Sequence, residues 1–346
     1  MPSDTQALGH THGSPPVLAV RDLRTHFHTE AGIIRAVNGV DLTVREGETL
    51  AVVGESGSGK SVTGLTVMRL LGRTSARVEG GTIRFSRKSG EELDLLALPE
   101  REMQKVRGRD VAMIFQDPMS SLNPVFTVGD QIAEPIRIHE GLGRREARER
   151  ALDLLRQVGI SDPDGRIDAY PHQLSGGMRQ RVMIAVALAC DPRLLIADEP
   201  TTALDVTIQS QIVTLLKRLQ TERRMAMIFV THDLKLVGEI ADRVAVMYAS
   251  QVVEEGPVAE VLASPKHPYT RALLDCIPSR RDAAGNRRQL RPIPGVLPNP
   301  LSPPEGCHFH PRCVHAQPRC AGTEPVLERV SDERQTRCLP WREIAA

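Results

Sequence analysis

Residues 54–61 read GESGSGKS, a set of small residues closing on a lysine and a hydroxyl, which suits a polyphosphate. Glycines let successive backbone N–H groups turn inward around oxyanions, and a helix starting at the lysine adds its positive end. On this reading Gly54, Glu55, Ser56, Gly57, Ser58 and Gly59 form a phosphate cradle that Val62 carries into the helix. Lys60 sets a point charge on the β- and γ-phosphates of a nucleoside triphosphate, and Ser61 offers its hydroxyl to Mg²⁺. Residues 194–200, LLIADEP, form an apolar run that ends in adjacent carboxylates. Successive side chains on a strand point to opposite faces, so these two take different roles. Asp198 becomes the indirect Mg²⁺ partner and Glu199 the general base for an attacking water. A chance glycine-rich turn and an acidic helix cap are the plainer readings, and the two features occurring together disfavour both.

The elements that must position these groups follow from the pattern around them. TLAVV precedes the glycine loop and a helix-compatible run follows from Lys60 to Leu71, giving strand, loop and helix in the required order. LLIAD precedes a helix whose Ile208, Ile212, Leu215 and Leu219 recur on one face, leaving Lys217 and Arg218 on another. AMIFV precedes a further helix, and this alternation predicts a mainly parallel α/β sheet covered on both sides. Ahead of it, VLAVRDL, IIRAV, VDLTV and TLAVV predict a strand-rich opening. Between about 117 and 189 the pattern is helical, with helices expected at 128–139 and 144–157. The second, RREARERALDLLRQ, interleaves Glu146, Glu149 and Asp153 with its arginines, so it reads as a solvated amphipathic helix and not as an RNA-binding stripe. From Arg291 the sequence RPIPGVLPNPLSPP is an extended linker. There is no internal repeat of the length that builds solenoids.

Composition narrows the partners. The 346 residues carry 44 Lys and Arg against 43 Asp and Glu, so no global charge draws the chain to nucleic acid. The longest uninterrupted apolar run, 182–190, is about half what a bilayer-spanning helix requires. The opening MPSDTQALGHTHGSPP lacks a secretory signal and is expected to be a mobile tail over 1–16. A soluble cytoplasmic protein with reduced thiols is the resulting expectation.

Four further segments carry a family resemblance. LSGGMRQR places Ser175, Gly176 and Gly177 at the start of an apolar helix, a second anion site that the first loop does not need. It resembles the signature motif of ABC ATPases, in which one subunit's signature meets the γ-phosphate held by its partner. FQDPMSSLNP carries Gln116, similar to the Q-loop glutamine that links Mg²⁺ and the attacking water to the helical insert. VTHD carries His232, like the switch histidine that touches the γ-phosphate, and TTALD ends in Asp205, like the D-loop aspartate that crosses the dimer. Phe27, the sole aromatic of the first strands, stands where this family stacks adenine, although a phenylalanine there also fills cores. The resemblance implies a RecA-like P-loop ABC ATPase core over 17–265, with an antiparallel β subdomain and a helical insert. It also implies ATP and Mg²⁺, a dimer closing over two nucleotides, and catalysis by Glu199, His232 and Gln116, with Ser61, Gln116 and Asp198 around the Mg²⁺.

The chain also resembles one branch, the ATPases of oligopeptide and dipeptide importers, whose relatives include nickel importers. FQDPMSSLNP, SGGMRQRVMIA, KHPYTRALLDCIPS and GCHFHPRCVHAQPRC carry this likeness, and the second of them with the IPG segment at Ile293 is more like the first of the two ATPases such importers pair. The branch implies a different ATPase as dimer partner, two membrane permease subunits and an extracytoplasmic binding protein. It also implies a peripheral position on the cytoplasmic face of the inner membrane, and peptides as cargo.

Four of the six cysteines, Cys307, Cys313, Cys320 and Cys338, lie in a C-terminal extension (266–346) whose end has few apolar residues. A small cysteine-rich module stapled by metal is expected, since disulfides are disfavoured in a reducing compartment. The spacings match neither zinc ribbons nor ferredoxins and do not choose the metal. The resemblance favours a [4Fe–4S] cluster, with four-cysteine zinc as the alternative and His308, His310 and His315 as bystanders. Cys190 and Cys276 read as inert core thiols. Two rival functions are a soluble ABC ATPase of DNA repair or translation, which would carry coiled-coil insertions or tandem domains, and a metal or redox sensor.

Overall fold

The computed structural model describes residues 15–72, 75–117, 121–202, 204–277 and 292–344. Most of the expected N-terminal tail (1–14), the centre of FQDPMSSLNP (118–120), Ala203 of TTALD, the end of KHPYTRALLDCIPS and Arg291 lie outside the described residues.

Two sheets organise the chain. An antiparallel sheet of four strands runs in the order Gly32–Val44, Leu18–Thr29, Ala76–Ser86 and Glu92–Asp94. The runs IIRAV and VDLTV are one strand here. Asn38-Gly39 does not turn the chain, because pairing with Leu18–Thr29 continues past it through register shifts at Leu23 and Arg24.

The larger sheet consists mainly of five parallel strands that run out to one edge, in the order Arg243–Tyr248, Thr49–Val53, Ala226–Thr231, Leu194–Asp198 and Val111–Ile114. Thr49–Val53, Leu194–Asp198 and Ala226–Thr231 are buried at every position, as strands covered on both faces must be. The expected α/β core is therefore present. Its three central parallel strands each end in one of the chemical groups singled out above.

The helical stretch lies between two neighbouring strands of that sheet, Val111–Ile114 and Leu194–Asp198. Helix Val128–Glu140 opens on Thr127, whose hydroxyl accepts from the Asp130 N–H. Its Ile132 and Ile136 pack with Ala147, Ala151 and Leu155 of helix Arg144–Gln157 and with Val182 and Ile184 of helix Gly176–Ala187. On the solvated face Arg145 pairs with Glu149 at 3.0 Å and Arg148 with Asp168 at 2.8 Å. Those arginines are neutralised by neighbouring carboxylates, in line with the amphipathic reading.

The tail departs from expectation. It does not form a small module apart from the rest of the chain. Strand Gln335–Thr336 pairs with Gln251–Pro257 and so extends the large sheet. Beside this junction the buried Arg334 guanidinium donates to the buried Glu254 carboxylate at 2.7 Å. Phe309, with Cys307 and Cys313, packs on Tyr248, Val253 and Tyr269. A segment too poor in apolar residues to bury a core of its own uses the sheet edge and the core of the larger unit.

Candidate functional site

Strand Thr49–Val53 ends at the glycine loop, and the loop's path explains its residues. Gly54 has φ 157° and Gly59 φ 101°. A Cβ on Gly54 would lie 2.1 Å from the Met247 carbonyl oxygen, and one on Gly59 would lie 2.3 Å from that of Ala36. Conformation and close approach both demand glycine at these two positions. Gly59 then precedes helix Lys60–Val67. Lys60 is buried, and its Nζ donates to the carbonyls of Gly54 at 2.9 Å and Glu55 at 3.0 Å. Burial holds this ammonium below the ordinary lysine range, against the pull of Glu199, Asp198 and Glu55. Val62 is half-buried and packs on the core beneath the loop.

The carboxylates meet the loop from the neighbouring strand. The Ser61 hydroxyl donates to Asp198 Oδ1 at 2.8 Å, joining the first turn of the helix to the end of Leu194–Asp198. Burial pushes the Asp198 carboxyl up, while that hydrogen bond and Lys60 oppose the shift. Glu199, one residue on, sits at φ 45°, a left-handed conformation that a non-glycine residue adopts at a cost. Its N–H donates to the Val230 carbonyl at 3.0 Å, anchoring the turn to the next strand. On its Oε2 three groups converge: Gln116 Nε2 at 3.1 Å, the Thr202 hydroxyl at 2.9 Å and His232 Nδ1 at 3.4 Å. Gln116 follows strand Val111–Ile114 and His232 follows strand Ala226–Thr231. Three strand ends thus focus on one carboxylate oxygen. A glutamate held by amide, hydroxyl and imidazole beside a phosphate loop is equipped to orient and deprotonate a water.

The remaining expected residues stand elsewhere. Ser175 caps helix Gly176–Ala187, its hydroxyl accepting from the Met178 N–H at 3.3 Å, and Ser175 and Gly176 are exposed. Asp205 is also exposed and caps helix Val206–Arg223 by accepting from the Ile208 N–H at 3.0 Å. These two helix starts are neighbours, since a Cβ on Gly177 would lie 3.1 Å from the Ile208 side chain. They form a second, outward-facing surface that takes no part in the hydrogen bonds around Glu199. Phe27 is half-buried in strand Leu18–Thr29, paired with Ile34 and Ala76.

Cys307, Cys313, Cys320 and Cys338 line one small pocket together with His267, Phe309 and His315. Burial and the neighbouring thiols raise Cys338, and burial is also the main cause that pushes Cys313 up to about 11. Among the described residues, however, no group of three or more His, Cys, Asp or Glu is arranged to hold a metal ion. The four expected ligands thus share a pocket but are not arranged as a metal site. His308 and His310 turn Nδ1 to the Ala249 and Cys307 carbonyls, at 3.1 and 2.9 Å. Cys190 is buried, its thiol raised to about 11 mainly by burial.

Sequence reasoning missed Thr202 and the residues that fix Glu55. The Glu55 N–H donates to Tyr269 Oη at 2.9 Å, and its carboxylate receives Arg312 Nη1 at 2.9 Å and Nη2 at 3.2 Å. Thr202 lies three residues past Glu199 and was readable as a local partner. Tyr269 and Arg312 lie 214 and 257 residues beyond Glu55, and no spacing rule connects them.

The ABC transporter family matches over residues 37–202, and the oligopeptide/dipeptide transporter C-terminal region over 253–320. A putative peptide import ATP-binding protein of Brucella melitensis is 54% identical over 334 residues, covering 96% of this chain and 99% of that protein. The dipeptide transport ATP-binding protein DppD of Escherichia coli is 50% identical over 322 residues, covering 93% and 96%. Among solved structures, an ATP-binding cassette dimer in a post-hydrolysis state with ADP and Pi is similar at a TM-score of 0.61 and 28% identity. It spans 70% of this chain and 98% of that one. Among the described residues no helix is long and apolar enough to cross a membrane.

Proposed function

Because the chain belongs to the ABC transporter family, in its oligopeptide and dipeptide branch, we propose that it is the ATPase subunit that powers peptide import through a membrane permease. The observation that carries the mechanism is the convergence of Gln116, Thr202 and His232 on Glu199 Oε2, beside Lys60 and the Ser61–Asp198 pair. In this reading residues 54–62 hold the triphosphate, Lys60 neutralises its β- and γ-oxygens, and Glu199 takes the proton of the attacking water. His232 and Gln116 keep that carboxylate aimed, and Phe27 offers its ring to adenine. Ser61 and Asp198, with Gln116 nearby, are hard oxygen donors suited to Mg²⁺, which when bound would offset phosphate charge.

The outward-facing surface of Ser175, Gly176, Gly177 and Asp205 is where a second ATPase closes over the nucleotide. The branch favours a different ATPase, forming a heterodimer, with two permease subunits and an extracytoplasmic binding protein. The chain then works as a peripheral subunit on the cytoplasmic face of the inner membrane. The cassette occupies 17–265, including the helical subdomain at about 117–189, and 266–346 is the branch-specific extension.

Reconstituted with its partner ATPase and permeases in liposomes, the chain should hydrolyse ATP faster when peptide-loaded binding protein is supplied. Hydrolysis indifferent to every peptide tested would overturn peptide import while leaving the ATPase reading intact.

The resemblance to the branch favours a [4Fe–4S] cluster on the four tail thiols, with four-cysteine zinc as the alternative. An all-sulfur donor set serves either metal. The four thiols line one pocket, and thiolate ligation would relieve the burial that raises Cys313 and Cys338. Protein prepared without oxygen should carry iron and acid-labile sulfide in equal amounts, with a broad brown absorption. Stoichiometric zinc, or neither metal, would reject the cluster.

A further inference from the structure

We propose that Arg312 is a positioning residue for the phosphate loop, supplied by the C-terminal tail. It holds and neutralises Glu55, so that the tail forms part of the nucleotide site. The inference rests on the reading that residues 54–62 bind ATP, and it adds a residue and a region that the motifs do not contain.

Glu55 follows the first glycine of the loop, and all of its polar groups are engaged. Its two carboxylate oxygens take the two Arg312 nitrogens at 3.2 and 2.9 Å, and its N–H donates to Tyr269 Oη at 2.9 Å. Its carbonyl accepts from Lys60 Nζ at 3.0 Å. The same carbonyl that Lys60 touches thus belongs to the residue that Arg312 grips, and a chain of direct contacts joins the tail to the phosphate-binding lysine.

Arg312 is not a surface cation that happens to fall nearby. Its side chain is 6% exposed, and the Glu55 side chain 23%. Its Nε donates to the Pro294 carbonyl at 2.8 Å, and Nη1 also reaches Tyr248 Oη at 3.3 Å. The guanidinium carbon lies 5.8 Å from the Tyr248 ring centre. Tyr248 contacts Tyr269 and Phe309 with ring centres 4.6 and 5.1 Å apart, so one aromatic cluster holds both residues that reach Glu55. A bidentate pair of this kind is directional, which a lysine could not reproduce.

Charge supplies the reason for the arrangement. A carboxylate in a loop that wraps a triphosphate repels the ligand unless it is compensated, and this one is only 23% exposed. Arg312 cancels that charge and turns the carboxylate toward the tail. Without it the Glu55 side chain is an uncompensated, half-buried anion beside the phosphates, and the cost falls on nucleotide binding.

The test uses the full chain, with binding of a non-hydrolysable ATP analogue and the KM and kcat of the assembled transporter as readouts. In Arg312→Met, Kd and KM for nucleotide should rise about tenfold with kcat at saturation near wild type, the pattern of a lost ground-state contact. Adding Glu55→Gln to that variant should return KM to the value of Glu55→Gln alone, because the repelling charge is gone. Tail destabilisation by itself would show no such rescue. Should Arg312→Met fail to fold, Tyr269→Phe removes only the oxygen that accepts the Glu55 N–H and should raise KM severalfold. Wild-type affinity in a folded Arg312→Met protein, or an equal rise in KM with and without Glu55, overturns the inference. Failure of the wild-type chain itself to bind nucleotide would instead sink the ATPase reading.

Discussion

Glu199→Gln should lower ATP turnover by about two orders of magnitude or more, the usual cost of losing a positioned base, while nucleotide binding survives. Glutamine keeps the shape of the side chain but cannot accept the proton of water. It also disturbs its own surroundings. Gln116, Thr202 and His232 all approach Oε2, and two of them donate through an amide and a hydroxyl. An amide nitrogen at that place would oppose donors with a donor, and an amide oxygen there would leave the nitrogen toward the water. Either rotamer fails as a base. The backbone should tolerate the change, because φ 45° at Glu199 and its N–H to Val230 do not involve the carboxylate. With hydrolysis blocked, ATP should stay trapped in a closed dimer, measurable as ATP retained on the assembled transporter after gel filtration. Turnover equal to wild type would take the base role from Glu199.

Lys60→Ala should act one step earlier, weakening ATP binding by about a hundredfold or more, the scale at which one partner of a desolvated charge contact is lost. Three carboxylates, Glu199, Asp198 and Glu55, bear on this ammonium. They would remain when the triphosphate, itself strongly anionic, arrives. The ammonium is also the link between the two carbonyls of Gly54 and Glu55, so its loss loosens the loop as well as its charge. The two variants should therefore separate cleanly: Glu199→Gln binds ATP but turns it over slowly, whereas Lys60→Ala binds it weakly. Fluorescent-nucleotide titration of the two side by side distinguishes them. Equal affinity in Lys60→Ala and wild type would remove the lysine from the site.

Much of the site was legible because its parts are local. A loop must follow a strand and precede a helix, two acids must end an apolar strand, and both conditions are satisfied within a few residues of Gly54 and Asp198. The parallel sheet followed from strands alternating with helices, and the solvated face of helix Arg144–Gln157 from charges of both signs at helical spacing. The peptide-importer branch was visible in the wording of the segments around Gln116, Ser175 and the tail cysteines, and identities of 50–54% with peptide and dipeptide transport ATP-binding proteins agree with it.

What the sequence alone determined is the set of groups that handle phosphate, since each depends on neighbours in the chain. Only the tertiary structure decided which groups share one oxygen of Glu199, and that the tail is built into the large sheet. It alone also brought Arg312 and Tyr269 to the second residue of the phosphate loop. The reason is that strand order, and with it the meeting of distant strand ends and a distant tail, is set by burial of apolar faces across the whole fold. No periodicity within a window of sequence records which remote segment will cover which face.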